Sequence, residues 1–282
     1  MKDCLNGVIS RAAEFTAQGE TYLKDGLRYC QSCHTPRECE VTLFDQKRRV
    51  PVLCHCLAAK DREEQREAAE QLRLLRIDEL RRQCFTEPAL RLCRFKDAQP
   101  SALLAYAQRY AERFETILPE NIGLMFTGEV GSGKTFAAAC LANALIDRAV
   151  SVRLLSVPRL LAELQGQRDK GALLTDISHC GLLILDDLGS ERGTDYVLEQ
   201  LFLVVDTRCR CGKPLVVTTN LTLDELKNPT DLRYERIYDR IVGLCVPVRA
   251  PGGSRRAEQQ RQMRARAIAL LGEEGVSCCA PE

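Results

Sequence analysis

An α/β fold built on a buried parallel sheet, with a small metal-stapled domain in front of it, is what this sequence predicts. Three observations carry that expectation. The run Gly128-Glu129-Val130-Gly131-Ser132-Gly133-Lys134-Thr135 fits the phosphate-loop pattern G-x-x-x-x-G-K-[ST] at every fixed position, between a short apolar run and an Ala- and Leu-rich segment. Short apolar runs of strand length then alternate with helical segments as far as Val248. Upstream, five of the 15 cysteines fall within 27 residues, as Cys30-x2-Cys33-x5-Cys39 and Cys54-x-Cys56.

Composition narrows the function classes. A chain of 282 residues holds one good-sized domain and a smaller companion. Its 40 basic and 39 acidic residues nearly cancel, so bulk charge points to neither a nucleic acid nor a membrane, and any such contact must come from a local patch. No apolar run approaches the ~18 residues that span a bilayer. The start Met1-Lys2-Asp3-Cys4-Leu5-Asn6 is not a secretory signal. A cytoplasmic protein without membrane contact is expected. Disulfide scaffolds are usually short secreted chains, so the crowded cysteines point to a metal instead.

Residues 10–23 read as a modest helix with Ala13, Phe15 and Leu23 on its face. In the cysteine window, a pair two residues apart forms a knuckle that presents two thiolates to one tetrahedral ion, and a second pair some twenty residues on closes a four-sulfur site. Between the pairs, Val41-Thr42-Leu43-Phe44 and Arg49-Val50-Pro51-Val52-Leu53 read as two strands, giving a zinc ribbon with Cys30, Cys33, Cys54 and Cys56 as Zn²⁺ ligands. The C-x-C pair is tighter than the usual C-x2-C, which leaves Cys39, His34 or His55 as substitutes for Cys56. The rival is a set of free buried thiols, but so short a segment hardly builds a core without a staple. Residues 57–83 are intensely charged and read as a solvated connecting helix, with a narrow stripe of Leu72, Leu75 and Leu80 and exposed pairs such as Asp78 and Arg82. Pro88 and Pro100 punctuate a linker, and residues 101–118 form the helix that enters the core. The expected domains are 1–57, a charged linker 58–97, a nucleotide-binding domain 98–257 and an arginine-rich helix and tail 258–282.

In the phosphate loop, backbone N–H groups of residues 128–133 and the following helix N-terminus face the phosphates of ATP. Lys134 reaches the β- and γ-phosphates, and Thr135 ligates Mg²⁺. Leu182-Leu183-Ile184-Leu185-Asp186-Asp187 is a buried strand ending in two carboxylates, 51 positions beyond Thr135. A parallel strand exposes its carboxyl end at the ligand edge, so Asp186 reaches the Mg²⁺ shell and Asp187 orients an attacking water. The strand 215–219 ends in Asn220, which either senses the γ-phosphate or caps the next helix. A helix over 232–241 places Arg233, Arg236 and Arg240 on one face. They either reach a phosphate bound by a neighbouring subunit, Arg240 being favoured for that role, or pair with Glu235 and Asp239 at the surface. Residues 244–248 form a fifth strand whose Pro247 suits a sheet edge. Cys209 and Cys211 lack a second pair and read as incidental thiols. No aromatic stacking platform is visible, so contact with DNA is expected to be phosphate-directed and salt-dependent.

Taken together, the phosphate loop, Asp186-Asp187, Thr218-Thr219-Asn220 and Arg236-Ile237-Tyr238-Asp239-Arg240 resemble the AAA+ ATPases of the DnaC/DnaI helicase-loader and IstB group. The resemblance covers residues 98–257. It implies a five-stranded parallel sheet in order 5-1-4-3-2 with little or no separate lid. It also implies roles for matching residues: Lys134 and Thr135 as Walker A, Asp186 as metal carboxylate, Asp187 as catalytic acid and Asn220 as sensor 1. Arg236 and Arg240 match the finger helix, and Arg255 the sensor 2 arginine, with Arg256 as its alternative. Asp187 stands where many AAA+ proteins carry Glu, which implies slow, switch-like hydrolysis. The resemblance further implies a hexameric replicative helicase and single-stranded DNA as partners, and ATP-dependent head-to-tail self-assembly. An IstB-like role with a transposase on duplex DNA, or a non-hydrolysing adaptor, is the alternative.

Overall fold

The computed structural model describes residues 20–43, 46–166, 170–190, 193–250, 252–253 and 255–271. They fall into two compact units, Met1–Leu75 and Arg76–Glu282. That division does not coincide with the boundaries expected at 57/58 and 97/98.

The first unit opens with an antiparallel hairpin, β1 (Thr21–Lys24) and β2 (Leu27–Cys30). Both residues of its turn, Asp25 and Gly26, have positive φ (52° and 76°), the geometry that matches the twist of two flanking strands. The helix expected over 10–23 is therefore corrected at its end. Its residues 10–19 lie outside the described residues, while Thr21, Tyr22 and Leu23 form strand because β-favouring side chains precede an Asp-Gly turn. Tyr22 and Tyr29 sit directly opposite each other, ring centroids 5.8 Å apart, with the His34 ring edge-on to Tyr22. This aromatic cluster was invisible in the sequence because its members come from two strands and a turn. β3 (Glu38–Leu43) and β4 (Gln46–Pro51) make the second hairpin; Val52 and Leu53 fall beyond it, and Phe44 lies outside the described residues. Helix α1 (His55–Cys84) starts earlier than expected, so that Cys56 lies in its first turn.

In the second unit α1 ends by burying Ile77, Leu80 and Cys84. Two 3₁₀ turns, Pro88–Leu92 and Phe95–Asp97, occupy the expected linker. The single helix expected over 101–118 is two, α2 (Ala102–Glu112) and α3 (Phe114–Glu120). Ser101 caps the first by accepting the Leu104 N–H (3.3 Å), and Arg113 leaves helical geometry (φ −99°, ψ 12°) so that Phe114 turns into the core. The sheet comprises β5 (Gly123–Thr127), β6 (Val152–Ser156), β7 (Leu182–Leu188), β8 (Leu215–Thr219) and β9 (Cys245–Arg249), in the order β6-β7-β8-β5-β9. Every pairing is parallel, and counted from β5 this is the expected 5-1-4-3-2. Pro247 lies on the edge strand β9, where a missing N–H costs no ladder bond on the open side.

Alternate side chains divide the core between the two faces of the sheet. Leu124, Phe126, Ile184 and Val216 pack with α2 and with α4 (Lys134–Ile146). Met125, Leu183, Leu185 and Val217 pack with α5 (Val157–Gly166), α6 (Lys170–His179) and α7 (Asp195–Arg210). Helix α6 had no sequence counterpart. After α8 (Leu223–Lys227), a 3₁₀ turn at Leu232–Tyr234 precedes α9 (Glu235–Leu244), so Arg233 leaves the arginine face expected over 232–241. Helix α10 (Arg255–Leu271) follows β9.

One buried cation stitches this unit. Arg208 on α7 is fully buried and donates to the carbonyls of Ile177, Cys180, Gly181 and Pro214 at 2.7–3.1 Å. It thereby ties the end of α6 and the entries to β7 and β8 together. Removing it leaves buried acceptors unpaired, so Arg208→Ala is expected to lower unfolding free energy by about 3 kcal/mol. Urea denaturation of the purified variant checks this.

Candidate functional site

The phosphate loop runs from β5 into α4, and it needs glycine where its backbone turns. Gly128, Gly131 and Gly133 have φ of 146°, 83° and 91°, values that strain any other residue. Ser132 tightens the loop by donating to Glu129 O (2.8 Å). Lys134 is almost fully buried, and its ammonium donates to the carbonyls of Gly128 and Glu129 and to Asn220 Oδ1, each at 2.8 Å. Asn220 at the tip of β8 therefore meets the loop side on. It does not cap α8: Thr222 does, in a reciprocal capping box with Glu225.

β7 delivers the acids. Asp186 is buried and accepts from Thr218 Oγ1 at 2.6 Å. Burial pushes its carboxyl up from the ordinary range, while hydrogen bonds with Thr218 and Thr135 oppose that rise. The Thr135 contact joins the two residues assigned to Mg²⁺. Asp187 is exposed, and its positive φ of 59° follows an irregularity in the β7–β8 register. Lys134, Thr135, Asp187 and Asn220 line one side of a cleft of about 650 Å³. Phe136, read only as the start of a helix, lines it too, and so do Leu90, Asp97 and Gln262, which were likewise missed as site residues. Their segments carried only a proline-punctuated linker and an arginine-rich tail pattern, neither of which signals a ligand.

The arginines divide. Arg240 pairs with Asp206 (3.0 Å) and stacks on Phe202 (4.5 Å to the ring centroid). Arg233 pairs with Asp195 and Asp231, both at 2.6 Å. Arg236 is exposed; its carbonyl accepts from Arg240 Nη1 (3.3 Å), but its guanidinium makes no hydrogen bond or ion pair among the described residues. Of Arg255 the backbone alone is described, at the start of α10, and the side chain of Arg256 likewise lies outside the description.

The model of the family of IstB-like ATP-binding proteins matches residues 57–263, well over half of the sequence. The chain belongs to that family. Among relatives, the replicative helicase loader DnaI of Bacillus subtilis is 30% identical over 147 residues, 48% of this chain and 47% of that protein. The replicative helicase loader DnaC of Escherichia coli is 30% identical over 143 residues, 49% of this chain and 56% of that protein. The chain thus spans about half the length of these relatives. A crystal structure of DnaI, 27% identical, superimposes with a TM-score of 0.52 over 61% of this chain and 95% of that one. The order of the parallel sheet agrees with the AAA+ architecture of this family.

The cysteine cluster precedes the matched span. The sulfurs of Cys30, Cys33, Cys54 and Cys56 all lie within 4.8 Å of one another, with Cys56 3.3–3.6 Å from the other three. A tetrahedral zinc–thiolate centre with ~2.3 Å bonds has edges of ~3.8 Å, so this donor set fits Zn²⁺. Cys39, His34 and His55 are not part of the cluster. Thr35, which the sequence did not single out, orients it: its hydroxyl contacts Cys33 Sγ (3.0 Å) and accepts the His55 N–H (3.1 Å). The Thr35 contact holds the Cys33 thiol down at about 5, whereas hydrogen bonding among the sulfurs, Cys54 first, keeps Cys56 protonated up to about 12. Zinc must therefore displace a proton from Cys56 at neutral pH. Chelator-stripped protein is expected to take up about one equivalent with proton release, and its apparent affinity to rise from about pH 6 to 8. Chelator competition across that range checks both. No helix among the described residues is long and apolar enough to cross a membrane.

Proposed function

We propose that this protein couples ATP binding and slow hydrolysis to the placement of a hexameric replicative helicase on single-stranded DNA. The observation that carries the reading is the convergence of Lys134, Thr135, Asp186, Asp187 and Asn220 from three neighbouring strand ends. The similarity to two proteins named replicative helicase loaders supports a helicase as the client. Lys134 binds the β- and γ-phosphates, with backbone N–H groups of Glu129, Val130, Gly131, Ser132 and Gly133 around them. Thr135 and Asp186 hold Mg²⁺, which when bound offsets charge on the phosphate oxygens. Asp187 orients the hydrolytic water, and its short side chain favours a slow rate suited to a switch. Asn220, already hydrogen-bonded to Lys134, senses whether a γ-phosphate has taken its place.

The arginines support ATP-dependent head-to-tail self-assembly as part of this reading. The exposed, uncommitted Arg236 is favoured over Arg240 for reaching a neighbouring subunit's nucleotide, because Arg240 is already paired and stacked. Arg255 completes the site as sensor 2. The zinc-binding unit carries the helicase contact, and DNA is held through phosphates in a salt-dependent way. The protein acts in the cytoplasm.

Lys134→Ala is expected to weaken ATP binding at least about tenfold, and Asp187→Asn to keep binding while losing about a hundredfold in hydrolysis. Labelled-nucleotide titration and phosphate release measure these. A mixture of Lys134→Ala and Arg236→Ala proteins is expected to recover hydrolysis that neither shows alone, since each supplies the half-site the other lacks. No measurable hydrolysis by the native protein, with function untouched in Asp187→Asn, would indicate the non-hydrolysing adaptor. Recovery of a transposase in place of a helicase by the full-length protein would indicate the IstB-type role on duplex DNA.

A further inference from the structure

We infer that Thr218 is a positioning residue that sets the geometry of both acids at the end of β7 through a single hydroxyl. This rests on the Mg²⁺–ATP reading of the cleft. The Thr218 Oγ1 donates its one proton to Asp186 Oδ1 at 2.6 Å and accepts the backbone N–H of Asp187 at 2.9 Å. The residue is fully buried in β8. An ionised carboxylate only accepts and an amide N–H only donates, so the one hydroxyl proton goes to Asp186 and a lone pair receives the Asp187 N–H.

Each bond constrains a different part of the site. The first holds Oδ1 of a buried carboxylate, so the oxygen that turns to a cation, and the angle at which it does so, follow from where Thr218 sits. The second holds the backbone where it turns sharply. Between Leu185 and Leu188 the β7–β8 register slips, and Asp187 takes a φ of 59° that an aspartate adopts only under local restraint. The amide of Asp187 is turned out of the ladder at that slip, and Thr218 supplies the acceptor that β8's backbone does not. Thr219 repeats the device one residue on, donating to Leu188 O (2.8 Å) and accepting the Leu221 N–H (3.0 Å), which closes the irregular stretch from the far side. With the Thr218 hydroxyl gone, Asp186 loses its anchor and the Asp187 N–H loses its acceptor in a partly buried setting. The side chain of Asp187 then no longer leaves the strand in one direction.

A merely structural threonine would lower stability without touching the metal. The test therefore reads metal binding directly: Mn²⁺ titrated into the full-length protein with a non-hydrolysable ATP analogue, followed by its paramagnetic resonance signal. Hydrolysis against Mg²⁺ concentration is measured in parallel. Thr218→Val keeps the shape and removes the hydroxyl, and it is expected to weaken Mn²⁺ binding about tenfold and to raise the Mg²⁺ needed for half-maximal hydrolysis similarly. Thr218→Ser restores the hydroxyl and is expected to lie within about threefold of the native protein. Binding of the nucleotide without metal is expected to be unchanged in both. Should the valine disturb the strand, Thr218→Ala removes the same hydroxyl without the added methyl group. Native-like Mn²⁺ binding by Thr218→Val or Thr218→Ala would overturn the inference, as would a serine variant as impaired as the valine. A native protein that binds no Mn²⁺ with the nucleotide would overturn the cleft reading itself, and the inference with it.

Discussion

Strands buried on both faces of a parallel sheet have no wet side along their length, so their polar chemistry is confined to their ends. β5 and β8 are buried throughout, and β7 is buried up to Asp186. Asp186, Asp187, Thr218 and Asn220 therefore gather at one edge as a consequence of sheet geometry, and the phosphate loop leaves β5 at that same edge. The order β6-β7-β8-β5-β9 matters for the same reason. It puts β8 between the strand that carries the acids and the strand that carries the loop, so side chains on β8 touch both.

That central position explains why β8 holds the polar contacts that join the site. Thr218 reaches sideways to β7, and Asn220 reaches the other way to Lys134. Crowding supports the arrangement from below. A Cβ on Gly123 would meet Leu215 O at 2.3 Å and Leu244 O at 2.9 Å, so the start of β5 admits nothing larger than glycine where it passes between its neighbours. On the opposite face, Arg208 fixes the entries to β7 and β8 with hydrogen bonds to four carbonyls.

What the sequence made legible was local in sequence. The phosphate loop, the paired acids after four apolar residues and the C-x2-C knuckle each announce themselves within a few positions. What it hid was assembled from afar. Arg208 donates to Ile177 and Cys180, Thr218 donates to Asp186, and Gln262 lines the cleft with the phosphate loop; only folding brings these distant residues together. The start of the chain failed for another reason. Apolar spacing around Leu23 suggested a helix, but the Asp25-Gly26 turn and the β-favouring Thr21 and Tyr22 outweighed a periodicity that short. Conversely, the break at Arg113 and the 3₁₀ turn before Glu235 interrupt helices whose amphipathic pattern continues across them, which is why pattern alone joined the pieces.

The contact between Lys134 and Asn220 also bears on the choice of ligand. A buried ammonium without acceptors around it would hold any anion that reached it. Here two loop carbonyls and an amide oxygen already accept from the cation at 2.8 Å. An incoming anion must out-compete three acceptors, which a lone phosphate does with its own charge only. A nucleotide brings several phosphates along the loop together with a base and sugar to fill the cleft beyond Phe136 and Gln262. The contact between Lys134 and Asn220 thus favours a ligand that makes many contacts at once over a lone phosphate.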